Sequence, residues 1–440
     1  MIARFVQEHL NDDTARLILD RAKWPEIDID LAVNCIESRR KLKGKVQEWY
    51  ENPDLIFPLK LSAEQCSSSA TGAFKAAYAQ AIHEKTSEAQ NKKMRIADLT
   101  GGYGVDSWSF SKVADQVLYC EMLNTLCNAA RHNFAALGAN NIQVNNITIS
   151  PEHLCRSEHS CHPGGSEVID EVAEANAKES SLLSSFQPDI IYLDPARRSE
   201  TGKKVFLIEE CTPDVLTLKD ELFTHSRNIL LKLSPMADIT MVCERLGACC
   251  REVHVVAMGG ECKELLIWMD SEWSGEYTIT AAELNCHSSY LTFTPSEEKS
   301  ASPIIASKEE IAEATHLFEP GKALMKSGAF NTLCHRFGLK KLGRSTHYYI
   351  IGNSHETSAI ATTQELTELG KLYRIISHSS LDKRSIKAAG TAYPKSEVTA
   401  RNIPMDTDTL RKKLGITSGD DAHIFGLKSD TAGNLLFICH

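Results

Sequence analysis

Between residues 94 and 258 the chain alternates short apolar runs with longer amphipathic stretches, and this rhythm restricts the fold more than any other feature. Runs at 95–99, 116–121, 142–146, 189–194 and 228–233 each have the length of a buried strand. Helix-like stretches such as 123–137 separate several of them. Strands alternating with helices imply right-handed βαβ units and a parallel sheet covered on both faces. Two further strands, at 252–258 and 264–269, flank Gly259-Gly260, which reads as a hairpin turn. The expected fold class is therefore α/β, Rossmann-like, with a seven-stranded sheet ended by an antiparallel hairpin. A purely parallel dinucleotide fold would not end so.

At 440 residues the chain is too long for one ordinary domain. Residues 1–90 read as a mostly helical region, with an Ala-rich stretch at 71–83 unbroken by Pro or by a second Gly. Residues 91–271 hold the α/β domain, with a Ser-, Glu-, His- and Ala-rich insertion at about 150–186. Strand-like 277–280 and 290–293 and a helix near 308–315 suggest small α+β domains at 272–317 and 318–395, then a terminal segment at 396–440. Hydrophobic content of 42% with 24% charged residues is that of a globular protein with a substantial core. A net charge of -10 argues against wholesale coating of nucleic acid, though not against a local basic patch. Met1-Ile2-Ala3-Arg4 leads into a charged amphipathic stretch rather than a signal peptide, and no apolar run is long enough to span a membrane. Fourteen cysteines without regular spacing read as reduced thiols, which gives a cytoplasmic expectation.

The chemistry concentrates at strand ends. The first strand ends at Asp98 and runs into Thr100-Gly101-Gly102-Tyr103-Gly104-Val105-Asp106, with a helix following. Glycines let the backbone approach a ligand and take positive φ, and the amides at a helix start favour polar groups. A nicotinamide-binding turn uses the same physics. Asp98, however, suits a cationic amino acid and would oppose a pyrophosphate, and Ser107 stands where a dinucleotide fingerprint needs a third glycine. Glu121 ends the second strand, where a carboxylate accepts ribose hydroxyls in either type of ligand. Asp194-Pro195-Ala196-Arg197-Arg198 follows the fourth strand. The carboxyl ends of strands one and four flank the switch point of such a sheet, so the two motifs converge in space. Lys232-Leu233-Ser234-Pro235-Met236 either lines the substrate mouth or is an ordinary strand exit.

On ADLTGGYGVDS (97–107), YCEM (119–122), YLDPARR (192–198) and LKLSPMAD (231–238), residues 94–270 resemble class I S-adenosylmethionine-dependent methyltransferases. With the lead-in at 61–76 and FEPGKALMKSGAF (318–330), the whole chain is similar to a bacterial family that adds ferredoxin-like and THUMP-like C-terminal domains. The resemblance implies S-adenosyl-L-methionine held by Asp98, Thr100, Gly101, Gly102, Gly104, Asp106, Glu121, Met122, Thr148 and Pro195. Asp194 would be the catalytic residue, orienting the acceptor, with Arg197 and Arg198 gripping a phosphate. Related catalytic domains, trimethylguanosine synthase among them, point to RNA as substrate. Two departures stand out. Ala196 and Arg197 replace the aromatic residue that amine methylases of bases place after their Pro-Pro pair. Ser234 falls in the region where uracil carbon-5 enzymes carry a nucleophilic Cys.

Residues 320–355 contain no Asp or Glu but carry Lys322, Lys326, Arg336, Lys340, Lys341 and Arg344, with Tyr348 and Tyr349 as stacking surface. An RNA-capturing face is the expectation, with Lys322 and Lys326 as substrate contacts. His153, Cys155, His159, Cys161 and His162 match no zinc spacing, so no metal is expected. Cys249-Cys250 reads as packing. Two other readings stay open: a degenerate methyltransferase fold that binds RNA or cofactor without turnover, and a NAD-dependent oxidoreductase.

Overall fold

The computed structural model describes residues 1–87, 93–149, 182–197, 208–284, 288–352 and 358–440. The expected insertion, up to residue 181 and with its His and Cys residues, lies outside these, as does Arg198. The chain divides into two compact units, Met1–Arg251 with Leu265–Gly275, and Glu252–Glu264 with Glu276–His440.

The first unit opens with six helices, α1 (Ile2–Glu8), α2 (Thr14–Leu19), α3 (Ile29–Leu42), α4 (Gln47–Glu51), α5 (Lys60–Gln65) and α6 (Ser69–Thr86). α3 starts where the Asp28 carboxylate accepts the Leu31 amide, and it buries Ile29, Ala32, Val33, Ile36 and Leu42 at helical spacing. Ser68 begins α6 with a reciprocal cap through Thr71. Arg39, in a basic run that reads as a solvated helix face, is only 3% exposed. Its guanidinium donates to the carbonyls of Tyr50, Asn52 and Leu55 at 2.7–3.0 Å, tying down the end of α4 and the chain beyond it. The helices share a core with Tyr103, Trp108 and Phe134 of the α/β layer.

That layer contains β1 (Arg95–Asp98), β2 (Gln116–Glu121), β3 (Ile142–Asn146), β4 (Ile190–Leu193), a short β5 (Ala196–Arg197) paired with β6 (Cys211–Thr212), and β7 (Asn228–Leu233). Helices α7 (Val105–Phe110), α8 (Asn124–Ala136), α9 (Val215–His225) and α10 (Ile239–Leu246) connect them. The sheet runs β3-β2-β1-β4-β7, all parallel. Beyond β7 lies β9 (Glu261–Asp270), antiparallel to it over 265–270. β9 is reached from β8 (Cys250–Met258) through Gly259 and Gly260, whose φ angles of 62° and 79° only glycine adopts readily. This is the doubly wound sheet with a reversed last strand that the alternation predicts.

In the second unit β10 (Thr278–Leu284) pairs parallel with β8, and β11 (Ser288–Phe293) pairs antiparallel with β10. β10 and β11 fall within 272–317, the range expected to form a small α+β domain. Ile279, Ala281 and Ala282 of β10 are buried. α11 (Pro295–Ser300) and α12 (Lys308–Ala312) follow, then β12 (His316–Pro320), α13 (Lys322–Ser327), α14 (Phe330–Phe337), β13 (Lys340–Lys341), β14 (Tyr349–Ile351), α15 (Ser358–Leu369), β15 (Gly370–Ser380), α16 (Lys383–Ala392), β16 (Lys395–Arg401), α17 (Thr407–Leu414), β17 (Thr417–Ser429) and β18 (Gly433–Cys439). Their strands form one sheet in the order β13-β14-β12-β15-β18-β17-β16. A boundary at 395 would cut this sheet, since β18 pairs with both β15 and β17 and buries Leu435, Phe437 and Cys439. Residues 396–440 are part of the domain and not a tail.

Candidate active site

Asp98 and Tyr192 face each other in the parallel pairing of β1 and β4, so Asp98 and Asp194 leave adjacent strands at the same edge. Thr100 joins the two exits: its hydroxyl accepts the Asp194 amide at 2.6 Å. Two glycines of the intervening turn leave no room for a Cβ. A Cβ on Gly101 would lie 2.1 Å from the Tyr119 ring, and one on Gly104, at φ +88°, would lie 2.5 Å from Phe134. Gly102 also has positive φ, at 53°. Tyr119 closes the arrangement by donating its hydroxyl to the Gly102 carbonyl at 2.6 Å.

The Asp98 carboxylate is 1% exposed and accepts the Ser107 hydroxyl at 2.5 Å and the Thr100 amide at 3.1 Å. No cation pairs with it among the described residues. Burial pushes its carboxyl up to about 7, against the opposing pull of the Ser107 bond. A buried carboxylate with two neutral donors and no counter-ion is a site that an ammonium group would complete. A diphosphate would meet repulsion there. Glu121 lies at the tip of β2, accepting the Gly102 amide at 3.0 Å and the Leu123 amide at 2.8 Å. Beside it Met122 is 58% exposed, an apolar surface at the edge of the turn. Thr148 is exposed in the loop after β3. Asn145, at the end of β3, buries an amide nitrogen that has no hydrogen-bond partner among the described residues. Pro195 is buried, and the side chain of Arg197 lies outside the described residues.

Asp106 departs from its expected place among the cofactor contacts. It turns into the protein, where Lys75 stands 3.2 Å away and Ser67 and Tyr192 donate their hydroxyls at 3.0 and 2.8 Å. Burial opposes its ionisation, but Lys75, Lys232 and these hydrogen bonds outweigh that and hold its carboxyl below the ordinary value. The reason lies in α6, whose fully buried Lys75 needs a counter-charge, and Asp106 supplies it.

Asp194 is partly exposed, and Lys232 of β7 donates to its Oδ2 at 2.5 Å. Lys75 escapes a reading of local sequence, and Lys232 is legible there only as part of the strand exit 232–236. Lys75 sits in an unremarkable Ala-rich helix, and only strand register reveals that Lys232 meets Asp194. Lys232 stands at the even position in LKLSP, one residue before the strand ends, and its polarity within an apolar strand is the available signal.

The expected basic face of the second unit is largely spent on internal pairs. Arg336 clasps Glu297 in a two-pronged ion pair at 2.7–3.0 Å, and Lys340 pairs with Glu310. Lys341 is buried, and so are Tyr348 and Tyr349, whose hydroxyls bond to Glu319 and to the Phe330 carbonyl. They are core residues with no ring face for a base. Lys322 and Arg344 remain exposed and Lys326 half-buried, while Lys383, Arg384 and Lys387 on α16 and Lys412 and Lys413 on α17 stand exposed.

These features define a class I methyltransferase fold. Over 100% of this chain and 97% of the other, the structure matches that of a candidate methyltransferase from Porphyromonas gingivalis W83, with a TM-score of 0.78 and 26% identity. A second match, a SAM-dependent methyltransferase from Agrobacterium tumefaciens, covers 49% of this chain and 65% of that one at 12% identity and a TM-score of 0.31. Residues 316–356 match a family described as a ferredoxin-like domain, and 370–440 one described as THUMP domain-like. No curated protein matches the sequence. The full-length structural match to a methyltransferase and the two C-terminal domain matches agree with the family resemblance carried by the sequence motifs.

Proposed function

We propose that this protein transfers a methyl group from S-adenosylmethionine to RNA. The observation that carries the reading is the buried Asp98 carboxylate without a counter-ion, one strand away from Asp194. Asp98 would receive the ammonium of the methionine moiety, Gly101 and Gly102 would let the backbone come close, and Glu121 would accept ribose hydroxyls. Met122 would cover a face of the adenine, and Asn145 or Thr148 its amine edge. The bound cofactor supplies an electrophilic methyl group on a sulfonium. Methyl transfer then asks the protein chiefly to place an acceptor in line and to stabilise the change in charge. Asp194 would orient that acceptor, beside Pro195.

RNA is the acceptor class that fits the THUMP-like match at 370–440 and the exposed cations of α16 and α17. Nucleoside mass spectrometry of RNA from cells with and without the gene tests this. Loss of one methylated nucleoside would support the reading, and an unchanged set would count against RNA. Calorimetry with S-adenosylmethionine and NADH separates it from the oxidoreductase reading.

A further inference from the structure

We infer that the acceptor atom is a hydroxyl oxygen, such as a ribose hydroxyl, and that Lys232 is a positioning residue for its activation by Asp194. This rests on the methyltransferase reading above and specifies the atom that receives the methyl group.

The inference begins with the charge beside the reaction centre. Asp194 leaves β4 with one carboxylate oxygen, Oδ2, bound by the Lys232 ammonium at 2.5 Å. Its Oδ1 carries no hydrogen bond among the described residues. Lys232 is largely buried, with 12% of its side chain exposed against 35% for Asp194, so water screens the pair only in part. The Lys232 charge also reaches Asp106, whose carboxyl it helps to hold low, and there Lys75, Ser67 and Tyr192 complete a polar chain. Lys232 is thus fixed from β7 and cannot swing away without unpairing Asp194.

Such a pair suits one kind of nucleophile. A neutral amine acquires a full positive charge as it gains a methyl group, and a lone carboxylate beside it would help. A carboxylate already bound to an ammonium helps much less, and the ammonium opposes the new cation. A hydroxyl has the opposite requirement. It must lose its proton, its oxygen becomes more negative on the way, and the ether product is neutral. In the step proposed here the hydroxyl oxygen forms the new C–O bond to the methyl carbon as the C–S bond breaks and its electron pair stays on sulfur. The hydroxyl proton passes to Asp194 Oδ1. Lys232 keeps its charge and its bond to Oδ2, which holds Oδ1 toward the acceptor. The residues beyond Asp194-Pro195 agree. Ala196 offers no ring against which a planar base could be held for attack by its amine, and a ribose needs none.

The test incubates the full-length protein with methyl-labelled S-adenosylmethionine and total RNA from cells lacking the gene, then fragments the labelled nucleosides by mass spectrometry. Label on the ribose is expected, and label on the base would overturn the inference while leaving RNA methylation standing. Absence of label from all RNA would overturn the proposed function, and this inference with it. Lys232→Met should lower kcat by up to about a hundredfold, the lower end of what general-base assistance contributes, because Asp194 loses the bond that orients it. KM for S-adenosylmethionine and its calorimetric Kd should stay unchanged, and Lys232→Arg should restore much of the rate. Equal kcat in Lys232→Met would refute the positioning role, as would a loss confined to cofactor binding.

Discussion

Ser107 donates its hydroxyl to Asp98 across 2.5 Å, from the position where a dinucleotide-binding turn needs a third glycine. A glycine at 107 would let the helix close on the strand. Serine instead aims a donor at a carboxylate buried beneath the turn, the group proposed to receive the ammonium of the cofactor.

Cofactor affinity should depend on pH through Asp98. With its carboxyl raised to about 7, Asp98 is largely protonated below that pH, whereas an ammonium ligand needs the carboxylate. Affinity should therefore rise with pH through about 7, and binding below it should release a proton. Calorimetry near pH 6 in buffers of different ionisation enthalpy reads that proton directly. In the ligand-free protein the sign is reversed. A raised acid favours the folded state fully below its unfolded value near 4, and this contribution is lost as pH rises through 7. Asp98→Asn should abolish both effects and weaken binding by about 1.5–3 kcal/mol, the value of a charge-assisted hydrogen bond.

The buried pair of Lys75 and Asp106 should show the asymmetry of buried ion pairs. Lys75→Met strands a carboxylate inside the protein and should cost about 3–5 kcal/mol. Adding Asp106→Asn should recover part of that loss, because the charge disappears while Ser67 and Tyr192 keep an acceptor. Denaturant unfolding of the two single variants and the double variant measures the coupling. Strict additivity would show that the two side chains do not act as a pair.

Gly101→Ala should be damaging through sterics alone, because its Cβ would overlap the Tyr119 ring. Overpacking of this kind costs about 1–3 kcal/mol. Thermal unfolding should show that loss, with weakened S-adenosylmethionine binding. Gly101→Ala combined with Tyr119→Leu should recover part of the stability.

RNA binding should follow the cations left exposed rather than those nearest in sequence. Replacing Lys383, Arg384 and Lys387 by Glu should weaken binding to total tRNA and lower the slope of log K against log salt by roughly two. Replacing Arg336 and Lys340 by Ala should leave RNA binding near wild type, since Glu297 and Glu310 already occupy them. Filter binding over a salt series distinguishes the two sets.

How far the sequence foretold the structure varies with the range of the interactions. β1 to β4 and β7 were legible because each is a short apolar run ended by a polar residue, and the Gly-Gly turn announced the reversal into β9. Asp98, Glu121 and Asp194 were legible as carboxylates at strand ends. The partners of charges were not. Arg336 and Lys340 read as a free basic face because Glu297 and Glu310 lie thirty or more residues earlier in the chain. Asp106 read as a ligand contact because nothing local reveals a lysine buried in α6. Strand partners distant in sequence were not legible either, since β10 joins the edge of β8 and β18 returns between β15 and β17.

The central claim is methyl transfer centred on Asp194, and label incorporation into RNA tests it most directly. Wild-type protein with methyl-labelled S-adenosylmethionine and RNA from cells lacking the gene should yield labelled RNA. Asp194→Ala should yield none while still binding the cofactor in calorimetry. Labelling by Asp194→Ala equal to wild type, or no labelling by either, would contradict the account.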